Sequence, residues 1–209
     1  TKVAATLQAV MLLYEEGKIQ LYQPMKQYLP ELVGTNKEKM TVQDVLWHQA
    51  GLVAFVPFWR ETKTGNAFQE EYYLTANQGA GLAVTEQLII KPTIGEDVWK
   101  WVIDSKLQPR VDSKGEYPYL YSDLGLIMLQ KLVERVSKQS LDVFVRNKVY
   151  LPLGMTATLF NPMRVFPKEQ IAPTAHDYLF RGAAIHGTVH DPNAALLGGV
   201  AGHAGLFSH

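Results

Sequence analysis

The chain opens with TKVAATLQAVMLLYEEGK, residues 1–18, and this stretch decides the fold. Residues 3–16 are rich in Ala, Leu and Met, which favour a helix, and Gly17 is a typical stop. The helix is apolar nearly all round, and such a helix is normally surrounded by protein. The sequence therefore predicts a central, buried helix over residues 3–16.

Lys2 stands at the head of this helix, beside Val3, Ala4 and Ala5. Loss of hydration there would lower the pKa of the amine and make it a usable base. The alternative is a helix-end lysine that reaches solvent, because lysine is almost never fully buried unless it is paired. Lys2 is thus a candidate catalytic residue, with the solvated lysine as the alternative.

Outward from this helix, most of the chain also has helical signals. Further helices are predicted at residues 24–30, from a Thr41 cap to near Gly51, around Glu70–Thr75 within an irregular stretch 52–83, at 96–104, at Ser122–Val136 and after a Ser140 cap. In the helix after Thr41 we expect Val45, Leu46 and Trp47 to face inward. In Ser122–Val136, apolar residues recur at spacings of three and four, which is typical of one buried face.

Residues 156–209 differ from the rest, because they are rich in Gly, Pro and His. We expect loops and short strands there. His186 and His190 lie four apart, a spacing that brings two metal ligands together on a helix. Gly182, Gly187 and Pro192 argue against a helix, so no metal site is predicted.

A polar group, Tyr121-Ser122-Asp123, lies where a loop becomes an apolar helix. Backbone N–H groups at a helix start point toward ligands, so such turns often bind substrate. The alternative is a simple helix cap by Ser122 or Asp123, with Tyr121 in the core. Tyr121, Ser122 and Asp123 are therefore candidate site residues, with substrate binding the expected role of Ser122 and Asp123.

The glycine-rich run Gly198–Gly205 implies closely packed backbone or positive φ angles. His203 lies within this run and is a candidate substrate-binding residue that lines a cleft. The alternative is a tight crossing of strand and turn in which the histidine is incidental.

The composition of the 209 residues excludes several classes of protein. A hydrophobic content of 47% with 19% charged residues excludes intrinsic disorder. Twenty basic residues balance twenty acidic ones, so no overall field attracts nucleic acid. The chain has no cysteine, which excludes disulfides and thiol nucleophiles. No apolar run approaches the ~20 residues that span a bilayer, and without a nucleotide-binding fingerprint we expect no cofactor.

Several ordered stretches together resemble the serine β-lactamase and penicillin-binding-protein family, in particular its esterase and class C-like branch. That family has S-x-x-K at the start of a buried helix, and Thr1-Lys2 followed by the Glu15-Glu16-Gly17-Lys18 ending is similar to it. Further similar stretches are residues 22–30, residues 41–52 with His48-Gln49-Ala50-Gly51-Leu52, Tyr121-Ser122-Asp123 in place of Y-x-N, Leu151–Met155 and Gly202–Ser208.

Two departures from the family pattern bear on function. If Lys2 is the motif lysine, the serine belongs two positions before Thr1, and the third motif would follow His209. Asp123 stands where most relatives have Asn. We therefore expect both ends to be cuts through a longer protein, with fusion to another domain open.

The resemblance implies an α/β (α+β) fold of the β-lactamase/DD-peptidase type, truncated, with the central buried helix, few strands and a helical lobe roughly over residues 20–155. It implies a serine hydrolase that acts on a β-lactam, a D-Ala peptide of peptidoglycan or a small ester through an acyl-enzyme. Lys2 and Tyr121 would move the proton. A non-catalytic binding module is the alternative, and a periplasmic or cell-surface location is what the family implies.

Overall fold

The computed structural model describes residues 1–74, 81–85, 88–110 and 115–209. Within these ranges the α-helices are α1 (Gln8–Glu15), α2 (Val42–Leu46), α3 (Ile94–Asp104), α4 (Asp123–Ser137), α5 (Leu141–Val145) and α6 (Pro192–Leu196). A π-helical segment, Lys2–Leu7, leads into α1, and another, Arg146–Tyr150, follows α5. The strands are β1 (Lys63–Thr64), β2 (Ala67–Phe68), β3 (Tyr73–Leu74), β4 (Leu82–Ala83), β5 (Ile89–Ile90), β6 (Leu159–Phe160), β7 (Pro173–Asp177), β8 (Ala183–His186) and β9 (Leu206–Phe207).

The opening helix forms as predicted, and one of its faces is buried. Ala5, Ala9 and Leu13 are fully buried in the core, whereas Val3 and Tyr14 are exposed. The expectation that protein surrounds this helix on every side therefore holds for one face only. The buried face still stabilises the lobe, since burying a leucine side chain contributes about 2 kcal/mol.

Helix α4 is the central packing partner of the opening helix and of α2. Its predicted apolar stripe is confirmed, because Leu126, Leu129, Leu132 and Val133 are buried. Gly125 lets α2 approach closely, since a Cβ there would lie 3.1 Å from the Val45 side chain. This packing carries the first residue of α4 toward the head of the opening helix.

Helix α2 begins at a well-formed N-terminal cap. Thr41 forms a capping box there: its hydroxyl accepts the Asp44 N–H, and the Asp44 side chain accepts the Thr41 N–H. Val45 is buried as expected, but the expectation for Trp47 is wrong, because this side chain is 57% exposed. Trp47 is the residue after the last turn of a five-residue helix, where the inward-facing periodicity has ended.

The strands form four small antiparallel sheets. The predicted helix at Glu70–Thr75 is wrong over the described residues, because Tyr73–Leu74 is strand β3 and pairs with β5. The Tyr73 ring is buried and its hydroxyl lies 2.7 Å from that of Thr62, a contact that favours the extended strand. Thr75 lies outside the described residues.

The other predicted helices form. The helix at 96–104 is α3, and the short one at 24–30 is wound as two 3-10 turns, Met25–Gln27 and Pro30–Leu32. None of the described helices combines the length and the apolar character needed to cross a membrane. Short helices around small antiparallel sheets make this an α+β fold, as predicted.

Candidate functional site

Lys2 lies in a cleft between the opening helix, α4 and the last turn of the chain. Its side chain is 28% exposed, and its ammonium lies 3.1 Å from Asp123 Oδ1. The same ammonium donates to the His203 carbonyl oxygen at 2.9 Å and lies 5.4 Å from the centre of the Tyr121 ring. The structure therefore gathers the candidate residues Tyr121, Asp123 and His203 around one cation, with Ser122 beneath them.

The electrostatics of Lys2 differ from the simple desolvation argument. Burial lowers the pKa of the amine, but pairing with Asp123 and then with Tyr121 raises it, and the pKa ends above its usual value. The negative charge at position 123 thus stabilises the protonated amine. Lys2 is a cation at neutral pH in this arrangement.

Asp123 is the first residue of α4, where the helix start favours a negative side chain. Its Oδ1 atom is sealed from solvent and has no aligned hydrogen bond, so the ammonium of Lys2 is its counter-charge. The contact is an ion pair across the cleft between two helix starts. An asparagine at this position would present an amide donor instead.

Tyr121 is 46% exposed, so it is not a core residue. Its ring rests on the His48 ring at a centroid distance of 4.6 Å. Burial lowers the pKa of His48, and its Nδ1 accepts the N–H of Ser122 at 3.2 Å. His48 was not among the residues chosen from sequence, although it lies in the stretch 41–52 that carries the family resemblance.

Ser122 supports the turn from below the cleft. Its side chain is 1% exposed, and its hydroxyl donates to the Val53 carbonyl oxygen at 2.7 Å. Because its hydroxyl is hydrogen-bonded to the backbone and points inward, Ser122 positions the neighbouring Tyr121 and Asp123. This geometry does not favour the substrate-binding role expected for Ser122.

His203 is also turned inward, with an exposed fraction of 3%. Its Nε2 donates to Asp191 Oδ1 at 2.8 Å, and its Nδ1 is buried without a hydrogen-bond partner. Asp191 was not selected from sequence, since only tertiary packing brings it beside His203. A cavity of about 360 Å³ on the far side of this pair is lined by Thr1, Thr174, Val189, His190, Asp191 and residues 203–207.

Metal binding finds little support among the residues that the structure describes. Asp123, Asp191 and His203 place one potential ligand atom each within 4.8 Å of one another. The Lys2 ammonium already contacts this group and supplies the positive charge there. His186 lies on strand β8, as its glycine neighbours indicated, and takes no part in the cluster.

Comparisons with known proteins identify the family of the chain. A family model described as Beta-lactamase matches residues 1–209. The chain is similar to a Bacillus subtilis (strain 168) protein named N-acetylmuramyl-L-alanine amidase, at 29% identity over the whole chain and 45% of the relative. A Salmonella gallinarum protein provisionally named D-alanyl-D-alanine carboxypeptidase is 31% identical over the whole chain and 46% of that relative. The chain thus spans about half the length of these curated relatives.

Solved structures show the same fold. The octameric penicillin-binding protein homologue from Pyrococcus abyssi superimposes with a TM-score of 0.61 at 20% identity, over 97% of this chain and 39% of the other. Penicillin-binding protein from Bacillus halodurans gives 0.60 at 17% identity, over 99% and 54%. Since the family model covers every residue from 1 to 209 and these folds agree, the chain belongs to the β-lactamase family.

Proposed function

We propose that this chain is part of a serine hydrolase that cleaves an ester or amide through an acyl-enzyme. The observation that supports it most is the Lys2 ammonium, held at a helix start between Asp123, Tyr121 and the His203 carbonyl. A charged, half-buried amine at a cleft with an exposed tyrosine beside it is typical of proton-transfer sites.

The nucleophile of the proposed reaction is the serine that the family pattern places two positions before Thr1. Residues three apart on a helix share a face, so its hydroxyl would lie near Lys2. Its oxygen forms a bond to the acyl carbon as the bond to the leaving group breaks, and its proton passes through Lys2 or Tyr121 to the leaving group. Water then cleaves the acyl-enzyme by the same route in reverse.

The pH dependence follows from the charge of Lys2. A protonated amine cannot accept the serine proton, and pairing with Asp123 holds the pKa of Lys2 above its usual value. We therefore propose that kcat/KM rises with pH until Lys2 loses its proton. Tyr121 serves as the hydrogen-bonding partner that returns the proton.

The names of the relatives support a peptidoglycan-derived or other small acyl substrate, handled outside the cytoplasm, in the periplasm or at the cell surface. Asp123 places a negative charge where an amide donor would bind an amide carbonyl. We therefore propose that esters are turned over faster than β-lactams. We also propose, from the family resemblance, that a helical lobe beside this cleft lies roughly over residues 20–155.

The alternative is a non-catalytic penicillin-binding-like module, which a permanently ion-paired Lys2 would also fit. Replacing Lys2 with alanine in the longer protein separates the two. We expect acylation by a labelled penicillin or an activated ester to fall by about 10² or more. The exposed Lys39, replaced in the same way, is the control. Wild-type rates in the Lys2→Ala protein would favour the module.

A further inference from the structure

The buried His203 and the partly buried Asp191 form a pair beside Lys2, whose ammonium contacts the His203 carbonyl, and the proposed mechanism does not use this pair. His203 Nε2 donates to Asp191 Oδ1 at 2.8 Å. The same oxygen accepts the N–H of Ala194 at 2.7 Å, which caps α6. Asp191 is therefore fixed from two sides, by a buried ring and by a helix start.

The backbone turn that carries His203 is held equally firmly. Gly202 donates its N–H to Gln130 Oε1 at 2.9 Å, and its carbonyl accepts from the Thr6 hydroxyl at 2.6 Å. A Cβ on Gly202 would lie 2.0 Å from the Leu126 carbonyl oxygen, so only glycine fits. The His203 carbonyl that receives the Lys2 ammonium is thus part of a rigid surface.

The charge of Asp191 reaches Lys2 as well. Burial alone would raise the pKa of the Asp191 carboxyl. The His203 contact and, more weakly, the charge of Lys2 outweigh burial, so this pKa lies below its usual value. A carboxylate oxygen of Asp191, at the start of α6, lies within 4.8 Å of one of Asp123, the residue that contacts the Lys2 ammonium at 3.1 Å. The Tyr121 ring and the more distant His48 are further titratable groups that act on this ammonium or are affected by it.

We propose that His203 and Asp191 are positioning residues for Lys2. Asp191, oriented by the His203 ring, supplies a second negative charge that holds the ammonium against the His203 carbonyl and shares with Asp123 the control of its proton. This positioning role extends the proposed function, and its effect on catalysis rests on that function. The positioning of Lys2 itself is a property of the resting protein.

The first test is an NMR titration of the Lys2 ¹³Cε signal in the full-length protein, assigned with Lys2→Arg. Asp191→Asn keeps an oxygen for the Ala194 N–H but removes the charge. We expect the Lys2 titration midpoint to fall by about one pH unit, as loss of a nearby opposite charge predicts. Tyr150→Phe is the matched control, since it removes a buried hydrogen bond to the Ala4 carbonyl of the same helix and no charge.

An unchanged Lys2 midpoint in folded Asp191→Asn protein would overturn the proposal, as would an equal shift in Tyr150→Phe. If Asp191→Asn does not fold, two variants of His203 provide the test. His203→Gln keeps a donor toward Asp191 and should keep the wild-type titration midpoint of Lys2, whereas His203→Leu removes the donor and should change that midpoint. Equal midpoints in both His203 variants would also overturn the proposal.

Kinetics then connect the pair to catalysis. In Asp191→Asn the rising limb of the pH profile of kcat/KM for p-nitrophenyl acetate should move to lower pH with the Lys2 midpoint, with KM nearly unchanged. If the wild-type protein shows no turnover while the NMR midpoint still shifts, the proposed function fails and the positioning role stands. If the wild-type protein turns over substrate but Asp191→Asn leaves the midpoint unmoved, the positioning role fails and the proposed function stands.

Discussion

Replacing Lys37 with methionine removes an ammonium that lies wholly inside the fold. Lys37 is 0% exposed, and its Nζ donates to the carbonyl oxygens of Ile103 at 2.8 Å and Ser105 at 2.6 Å. It also donates to Asn36 Oδ1 at 2.9 Å. The side chain thereby closes the carboxyl end of α3, where carbonyl groups lack partners within the helix.

The magnitude follows from the pKa of this buried amine. Burial lowers the pKa of Lys37 from 10.5 to about 8, against a weaker opposite effect of Asp104. A difference of this size corresponds to about 3 kcal/mol of preference for the neutral amine in the folded state. Between pH 8 and 10.5 the unfolded chain binds more protons, so the free energy of unfolding rises with pH over this range.

The contribution of Lys37 is therefore fully present above pH 10.5 and is lost as the pH falls through about 8. Methionine has no proton to bind and removes the side-chain donor to the Ile103 carbonyl, at a cost of about 1–3 kcal/mol, while the Ser105 carbonyl keeps the Asn36 side-chain amide at 3.1 Å. We expect wild-type protein to gain up to about 3 kcal/mol over Lys37→Met between pH 7.5 and 10.5.

Urea unfolding of the intact protein, followed by tryptophan fluorescence at several pH values, measures this difference. Lys39→Met is the matched control, because Lys39 is exposed two residues away and its replacement should give a difference that is flat with pH. A flat or falling difference for Lys37→Met would refute the reasoning, since it would mean that Lys37 keeps its charge at no cost.

Three further predictions concern the cleft and its walls. Asp123→Asn should move the rising limb of the pH profile of kcat/KM to lower pH and raise the ratio of β-lactam to ester turnover, measured with nitrocefin and p-nitrophenyl acetate. An unmoved limb would contradict the role of the Asp123 charge. Gly202→Ala should lower the free energy of unfolding by about 2–4 kcal/mol, because a Cβ meets the Leu126 carbonyl at 2.0 Å, whereas Gly95→Ala in α3, with open space, should be neutral or stabilising. The 209-residue chain alone should acquire no label from an acylating probe. Mass-spectrometric labelling of any of its serines, Ser105, Ser113, Ser122, Ser137, Ser140 or Ser208, would show that the site lies elsewhere.

The helices that were predictable from sequence are those whose pattern repeats over several turns. Residues 123–137 carry a stripe long enough to define one face, and α4 formed where expected. The helix after Thr41 is only five residues long, so its periodicity could not predict whether the Trp47 side chain faces the core or the solvent. The two-residue strand β3 depends on pairing with Ile89–Ile90, a partner that no local pattern reveals.

The site shows the same division between local and tertiary signals. Lys2, Tyr121 and Asp123 stand at helix starts, where the change from loop to apolar helix is visible in the sequence, and the fold brings these starts together. His203 was visible only as part of a glycine-rich turn. Its partner Asp191 lies twelve residues away and meets it because α6 and the turn pack together, a contact that local sequence cannot show.

The sign of the Lys2 pKa was the point at which local reasoning and tertiary structure disagreed most. From its apolar neighbours alone, Lys2 should lose its proton readily. The fold instead brings Asp123 and Tyr121 to its ammonium, and their attraction exceeds the cost of burial. If Asp191 acts as we propose, Asn in place of Asp123 would leave it as the remaining negative charge beside Lys2, and the pKa of this amine would fall further only when both carboxylates are replaced.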